Sequence, residues 1–158
     1  MQIIYKNGDI LSAQTDIIAH QVNCQGVMNA GLAKQIREKW PSVFEEYKKA
    51  FSDPWSFHPL GSCQLVDTNE VTCPKYIANL FGQKTYGRSQ TRYTSYDAIY
   101  EALSELAVKM VCEELNSVAF PYEMSSGLGG ADWEIILTMI NRVFKDTNIT
   151  IEIWKYAI

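Results

Sequence analysis

Two stretches of the chain carry the same hydrophobic and polar grammar. In residues 17–33, IIAHQVNCQGVMNAGLA, an apolar run over 17–22 reads as a buried strand. The pattern then breaks into a polar loop with Asn23, Gln25, Gly26, Asn29 and Gly31, and resumes as a helix with Leu32, Ile36 and Trp40 at helical spacing. Residues 117–137 repeat the order: a short strand (SVAFP), a loop holding SSGLGG, and a helix from about residue 131 that buries Trp133, Ile136, Leu137 and Ile140. A small-residue loop between a strand's carboxyl end and a helix's amino end presents backbone N–H groups at a positive dipole end, which favours anions. One such loop is weak evidence, because Gly also serves tight turns. Two of them, meeting at the carboxyl edge of an open sheet, suit a diphosphate.

The remaining pattern supplies the frame. Residues 2–6 read as a first strand before the turn at Asn7 and Gly8. The helix from residue 32 stops ahead of Pro41, and Pro41 opens a second helix with Val43, Phe44 and Tyr47 inward. Residues 52–61 form an irregular loop. Strands over 63–66 and 76–81, joined by a polar turn at 67–70, read as a hairpin. Residues 82–93, GQKTYGRSQTRY, form a basic loop. Thr94 or Ser95 caps a long helix over 96–115 with Ile99, Leu103, Leu106 and Met110 on one face, and 148–156 is a last strand. The hairpin requires antiparallel pairing. The fold class is therefore α/β, a mixed central sheet between helix layers.

Composition narrows the partners. The 158 residues suit one domain, 1–158, and 47% hydrophobic residues supply a core. A net charge of −4 argues against nonspecific nucleic-acid binding, which needs clustered Lys and Arg. Cys24, Cys63, Cys73 and Cys112 form no CxxC pair, so no metal site is expected. No signal peptide and no apolar run near ~18 residues is visible, so the expected location is cytoplasmic, with reduced thiols.

The pair NCQGVMNAGLA and PYEMSSGLGGADW, with GDI at residues 8–10 and ANLFGQK at 78–84, resembles the macro domains, ADP-ribose-binding α/β modules. The resemblance spans essentially the whole chain. It is nearest to the branch holding terminal ADP-ribose protein glycohydrolase, the DNA-ADP-ribose-removing antitoxins and yeast ADP-ribose-1″-phosphate phosphatase. It implies a three-layer α/β/α sandwich that binds ADP-ribose or an ADP-ribosylated substrate as a monomer, with no cofactor. It also implies hydrolysis of an ADP-ribose conjugate, on a protein carboxylate or a nucleic-acid base. The alternatives are a 1″-phosphate phosphatase, a non-catalytic reader, or a generic nucleotide-binding α/β protein.

Carried over residue by residue, the resemblance places Asp9 and Ile10 at the adenine and Asn23 at the distal ribose. Asn29, Ala30 and Gly31 fall in the first phosphate loop, and Ser125, Ser126, Gly127, Leu128, Gly129 and Gly130 in the second. Tyr156 falls against the adenine. Asn29 departs from the Gly of many relatives; Asn tolerates a left-handed turn. Read as ordinary residues, Asp9 and Asn23 are turn formers and Tyr156 a chain end. Lys84 matches the lysine that attacks or polarises the distal ribose in the glycohydrolase-like relatives. A lysine nucleophile needs a lowered pKa, and Lys75, Arg88 and Arg92 are candidate neighbours. The aspartate that partners this lysine in terminal ADP-ribose protein glycohydrolase aligns with Gly129. Asp132 is placed in the first turn of the following helix. His20 is the second catalytic candidate, at the offset of a phosphatase histidine, or else a core residue. Cys24 reads as a packing residue.

Overall fold

The computed structural model describes residues 1–56 and 58–156; residue 57 of the expected irregular loop lies outside them. The strands are β1 (Gln2–Asn7), β2 (Ile17–Val22), β3 (Cys63–Asp67), β4 (Tyr76–Phe81), β5 (Ser117–Pro121) and β6 (Thr150–Lys155). The helices are α1 (Gly31–Lys39), α2 (Pro41–Ser52), α3 (Tyr96–Cys112) and α4 (Trp133–Phe144). The strands form one sheet in the order β1-β6-β5-β2-β4-β3. Every pairing is parallel except β3 with β4, the expected hairpin, in which Cys63 faces Leu80 and Asp67 faces Tyr76.

Alternation along the central strands feeds two cores, one on each face. Ile17 and Ala19 of β2 join Val118, Phe120, Ile99, Leu103, Ile136 and Ile140 beneath α3 and α4. Ile18 joins Ile77, Ala119, Ile36, Trp40 and Val43 beneath α1 and α2. The result is the three-layer α/β/α sandwich.

Helix ends follow local chemistry. α1 stops because Trp40, ahead of Pro41, is driven to an extended conformation (φ −128°, ψ 79°), and Pro41 then occupies the first position of α2. Ser95 Oγ accepts from Ala98 N at 3.2 Å and Asp97 sits in the first turn of α3. That helix ends at Cys112, three residues short of the expected 115. Asp132 lies one residue ahead of α4, not within its first turn. Its carboxylate accepts from Glu134 N at 2.9 Å, so it is spent as a cap. Among the described residues, no helix is long and apolar enough to cross a membrane.

Candidate functional site

The five parallel strands send their carboxyl ends to one edge. β2 and β5 are neighbours in the sheet, paired at the amino end of β2 with Ile17 opposite Val118, although about 100 residues separate them in sequence. β2 leads into α1 on one face and β5 into α4 on the other. Adjacent strands whose connections leave in opposite directions open a crevice at their carboxyl ends, and this is where open α/β sheets bind ligands. The two small-residue loops are the loops that follow β2 and β5.

The first loop is built on Asn23, which is buried. Its Oδ1 accepts from Gln25 N at 2.9 Å and from the Tyr47 hydroxyl at 2.7 Å, and its Nδ2 donates to Val27 O at 2.8 Å. In this arrangement the Asn23 amide shapes the loop. Tyr47 anchors it from α2 with a second bond to Asn23 O at 2.8 Å, and burial pushes that phenol's pKa up. Asn29 is not left-handed, against expectation; its Oδ1 accepts from Arg37 Nη1 of α1 at 2.8 Å. The left-handed positions of this loop fall instead at Gly26 (φ +75°) and Gly31 (φ +56°). Ala30 gives α1 no side-chain cap, so the first-turn N–H groups of this helix are left without one.

The second loop is held from three sides. Ser125 adopts a left-handed conformation (φ 70°), uncommon for a residue with a side chain. Its Oγ donates to Gln21 Oε1 at 2.7 Å, and its carbonyl accepts from Thr94 Oγ1 at 3.2 Å and Ala131 N at 2.9 Å. Gly129 O accepts from Tyr93 N and Thr94 N, and Gly130 (φ +72°) abuts the backbone of Thr91. Ser126 is half-buried, while Gly127 and Leu128 are exposed. Gly127 differs from the other glycines of the chain. Its φ is not positive, and a Cβ there would meet nothing within 4 Å. Neither the backbone nor the packing demands glycine at 127.

The flanks of the crevice differ in chemistry. At the β1–β6 end, Asp9 is exposed, and one carboxylate oxygen accepts from Leu11 N at 2.9 Å. Ile10 is buried in the core. Gly8 N bonds Lys155 O at 2.9 Å, which sets the exposed Tyr156 beside this corner. At the β4 end, the exposed Lys84 accepts from Cys24 N through its carbonyl at 3.2 Å. Burial raises the Cys24 thiol's pKa and the charge of Lys84 opposes that rise.

One expected neighbour of Lys84 is placed elsewhere. Lys75 precedes β4, at the opposite edge of the sheet, where it pairs with Asp16 at 3.8 Å; it is not a neighbour of Lys84. Arg92 lies over the Tyr96 ring at 4.3 Å. His20 is 2% exposed on the α1–α2 face, with Nε2 bonded to Asn79 Oδ1 at 2.6 Å and Nδ1 without a partner. Burial lowers its pKa to about 4, against the raising effect of Asn79. A ring so enclosed sits in the core rather than at the crevice mouth. The sequence reading missed Gln21, Tyr47 and Thr94. The available signal for Gln21 was a polar residue in an apolar strand, one position from the turn to the other face.

A six-stranded mixed sheet between helix pairs, with two opposed small-residue loops at its switch point, defines an α/β nucleotide-binding class. The Macro domain family model matches residues 19–140, and the chain belongs to that family. It is 37% identical over 145 residues to the DNA ADP-ribosyl glycohydrolase of Mycobacterium tuberculosis, covering 90% of this chain but 39% of the relative. It is 30% identical to the ADP-ribose 1″-phosphate phosphatase of Meyerozyma guilliermondii, over 82% of this chain and 87% of the relative. Among solved structures, the macrodomain of Mycobacterium tuberculosis DarG superposes with a TM-score of 0.85 at 29% identity, covering 97% of each chain.

Proposed function

We propose that this chain binds ADP-ribose along the carboxyl edge of the sheet and hydrolyses an ADP-ribose conjugate, with a modified nucleic-acid base as the first substrate to test. The order of chemistry along the edge carries the reading. Asp9 and Tyr156 lie at the β1–β6 end, the two small-residue loops lie at β5 and β2, and Lys84 lies at β4. Three strand spacings separate β6 from β4, about 14 Å. A ligand with an adenine at one end, a diphosphate in the middle and a ribose at the other matches that order. Asp9 keeps one oxygen for the adenine amino group, Tyr156 offers a ring face, and the loops offer N–H groups to the diphosphate. The relative named a DNA ADP-ribosyl glycohydrolase supports the choice of linkage.

In the reaction, the bond from the distal ribose anomeric carbon to its leaving group breaks. Water supplies the hydroxyl that replaces the leaving group, and the freed acceptor takes the proton. The Lys84 ammonium stabilises charge that develops at the departing end, an effect confined to the transition state. The Asp132 carboxylate is committed to the α4 cap, so no acid partner for Lys84 is assigned there.

The test is turnover of ADP-ribosylated DNA, ADP-ribosylated glutamate peptide and ADP-ribose 1″-phosphate by the wild type and Lys84→Ala. Lys84→Ala is expected to keep ADP-ribose affinity within about threefold and to lose most turnover. Full activity in Lys84→Ala refutes the lysine role. Cleavage of the 1″-phosphate alone makes the protein a phosphatase, and no turnover of any substrate makes it a reader. Equal affinity for AMP and ADP-ribose in calorimetry overturns the ligand itself.

A further inference from the structure

Gln21 faces α3 and α4 near the carboxyl end of β2, and both ends of its amide are hydrogen-bonded. Nε2 donates to Gln83 Oε1 at 2.6 Å and to Thr94 Oγ1 at 2.9 Å, while Oε1 accepts from Ser125 Oγ at 2.7 Å. Gln83 Nε2 in turn donates to Thr85 O at 2.8 Å, so the bonded pair brackets Lys84 on both sides. The Lys84 carbonyl is meanwhile held by Cys24 N. Two glycines are shaped around the same amide. Neither Gly82 nor Gly129 has a positive φ, yet a Cβ at Gly82 would collide with Gln21 Oε1. A Cβ at Gly129 would stand 3.1 Å from Gln21 Nε2 and 2.6 Å from both Ser125 O and Thr94 Oγ1. The left-handed Ser125 is thus tied, through one side chain, to the segment that carries Lys84.

We infer that Gln21 is a positioning residue: its amide couples the set of the 125–130 loop to the placement of Lys84. Ligand seated on that loop fixes Ser125, Ser125 fixes Gln21, and Gln21 fixes Gln83 and the backbone around Lys84. The catalytic consequence rests on the lysine reading above; the mechanical coupling does not.

The experiment measures hydrogen exchange of residues 83–92 with and without ADP-ribose, together with Kd, KM and kcat. It uses the wild type, Gln21→Met, Gln83→Met, the double variant and Lys84→Ala. In the wild type, ADP-ribose slows exchange across 83–92. In Gln21→Met most of that slowing disappears, Kd stays within about threefold, and kcat falls about tenfold or more with KM little changed. Gln83→Met, whose substitution lies in a half-buried loop position, gives the same pattern, and the double variant is no worse than either single one. Wild-type exchange slowing in both single variants overturns the coupling, as does a loss of affinity that accounts for all lost turnover. Full turnover in Lys84→Ala refutes the lysine reading alone, because ligand-dependent exchange slowing still reports the coupling in that protein.

Discussion

Acidification tests the placement of His20 quantitatively. The imidazole is enclosed, and its folded pKa of about 4 lies below its ordinary value of 6.5. Between those values the unfolded chain binds a proton that the native chain does not. Native stability therefore falls as pH drops through this window and is fully regained above it. Going from pH 7 to pH 4.5, linkage gives a loss of about 2.5 kcal/mol from this one group, at about 1.4 kcal/mol for each pKa unit separating the two states. Carboxylates lose stability in the same range, so wild type is compared with His20→Gln, which keeps a donor for Asn79. Urea unfolding at both pH values, followed by tryptophan fluorescence, gives the difference of differences. His20→Gln is expected to be less stable at pH 7 but to lose about 2.5 kcal/mol less on acidification. An equal pH dependence in the two proteins, or a His20 ring that titrates near 6.5 by NMR, would falsify the buried neutral assignment. The same variant bears on mechanism. His20→Gln should keep kcat at pH 7 in protein that is still folded, and a loss of kcat with folding intact would move His20 into the chemistry.

The other expectations concern binding and the loops. Asp9→Ala should weaken ADP-ribose binding by about 1–2 kcal/mol and leave ribose 5-phosphate binding unchanged in calorimetry. Equal loss for both ligands would make Asp9 structural through its bond to Leu11 N. Gly127→Ala should leave the thermal midpoint unchanged, since its Cβ meets nothing, yet weaken ADP-ribose binding about tenfold. Unchanged affinity would show that the diphosphate does not approach this residue. Tyr47→Phe removes both hydroxyl bonds to Asn23 and should cost about 1–2 kcal/mol in urea unfolding. It should also speed hydrogen exchange across residues 24–30, and exchange that stays at the wild-type rate would show that the loop is held without Tyr47.

Much of this molecule is written in local pattern. The helical period marked Ile36, Val43, Ile99, Leu103, Ile136 and Ile140 as core, and each is buried. Pro41 and Ser95 set helix boundaries through backbone sterics and capping, which need only neighbouring residues. The strand–loop–helix order of the two ligand loops was legible for the same reason. Side-by-side placement of those loops was not. It depends on β5 adding beside β2, a pairing chosen by burial across the whole sheet rather than by either strand. Tertiary structure also decided where long polar side chains went. Lys75 was carried to the far edge by the direction of β4, Arg37 reached back to Asn29, and His20 and Gln21, adjacent in sequence, were sent to opposite faces by the pleat. Residue type announced that each could do polar chemistry. Only the packed sheet determined that Gln21 would meet Ser125, Gln83 and Thr94, because those partners lie 62 to 104 residues away and share no local signal with it.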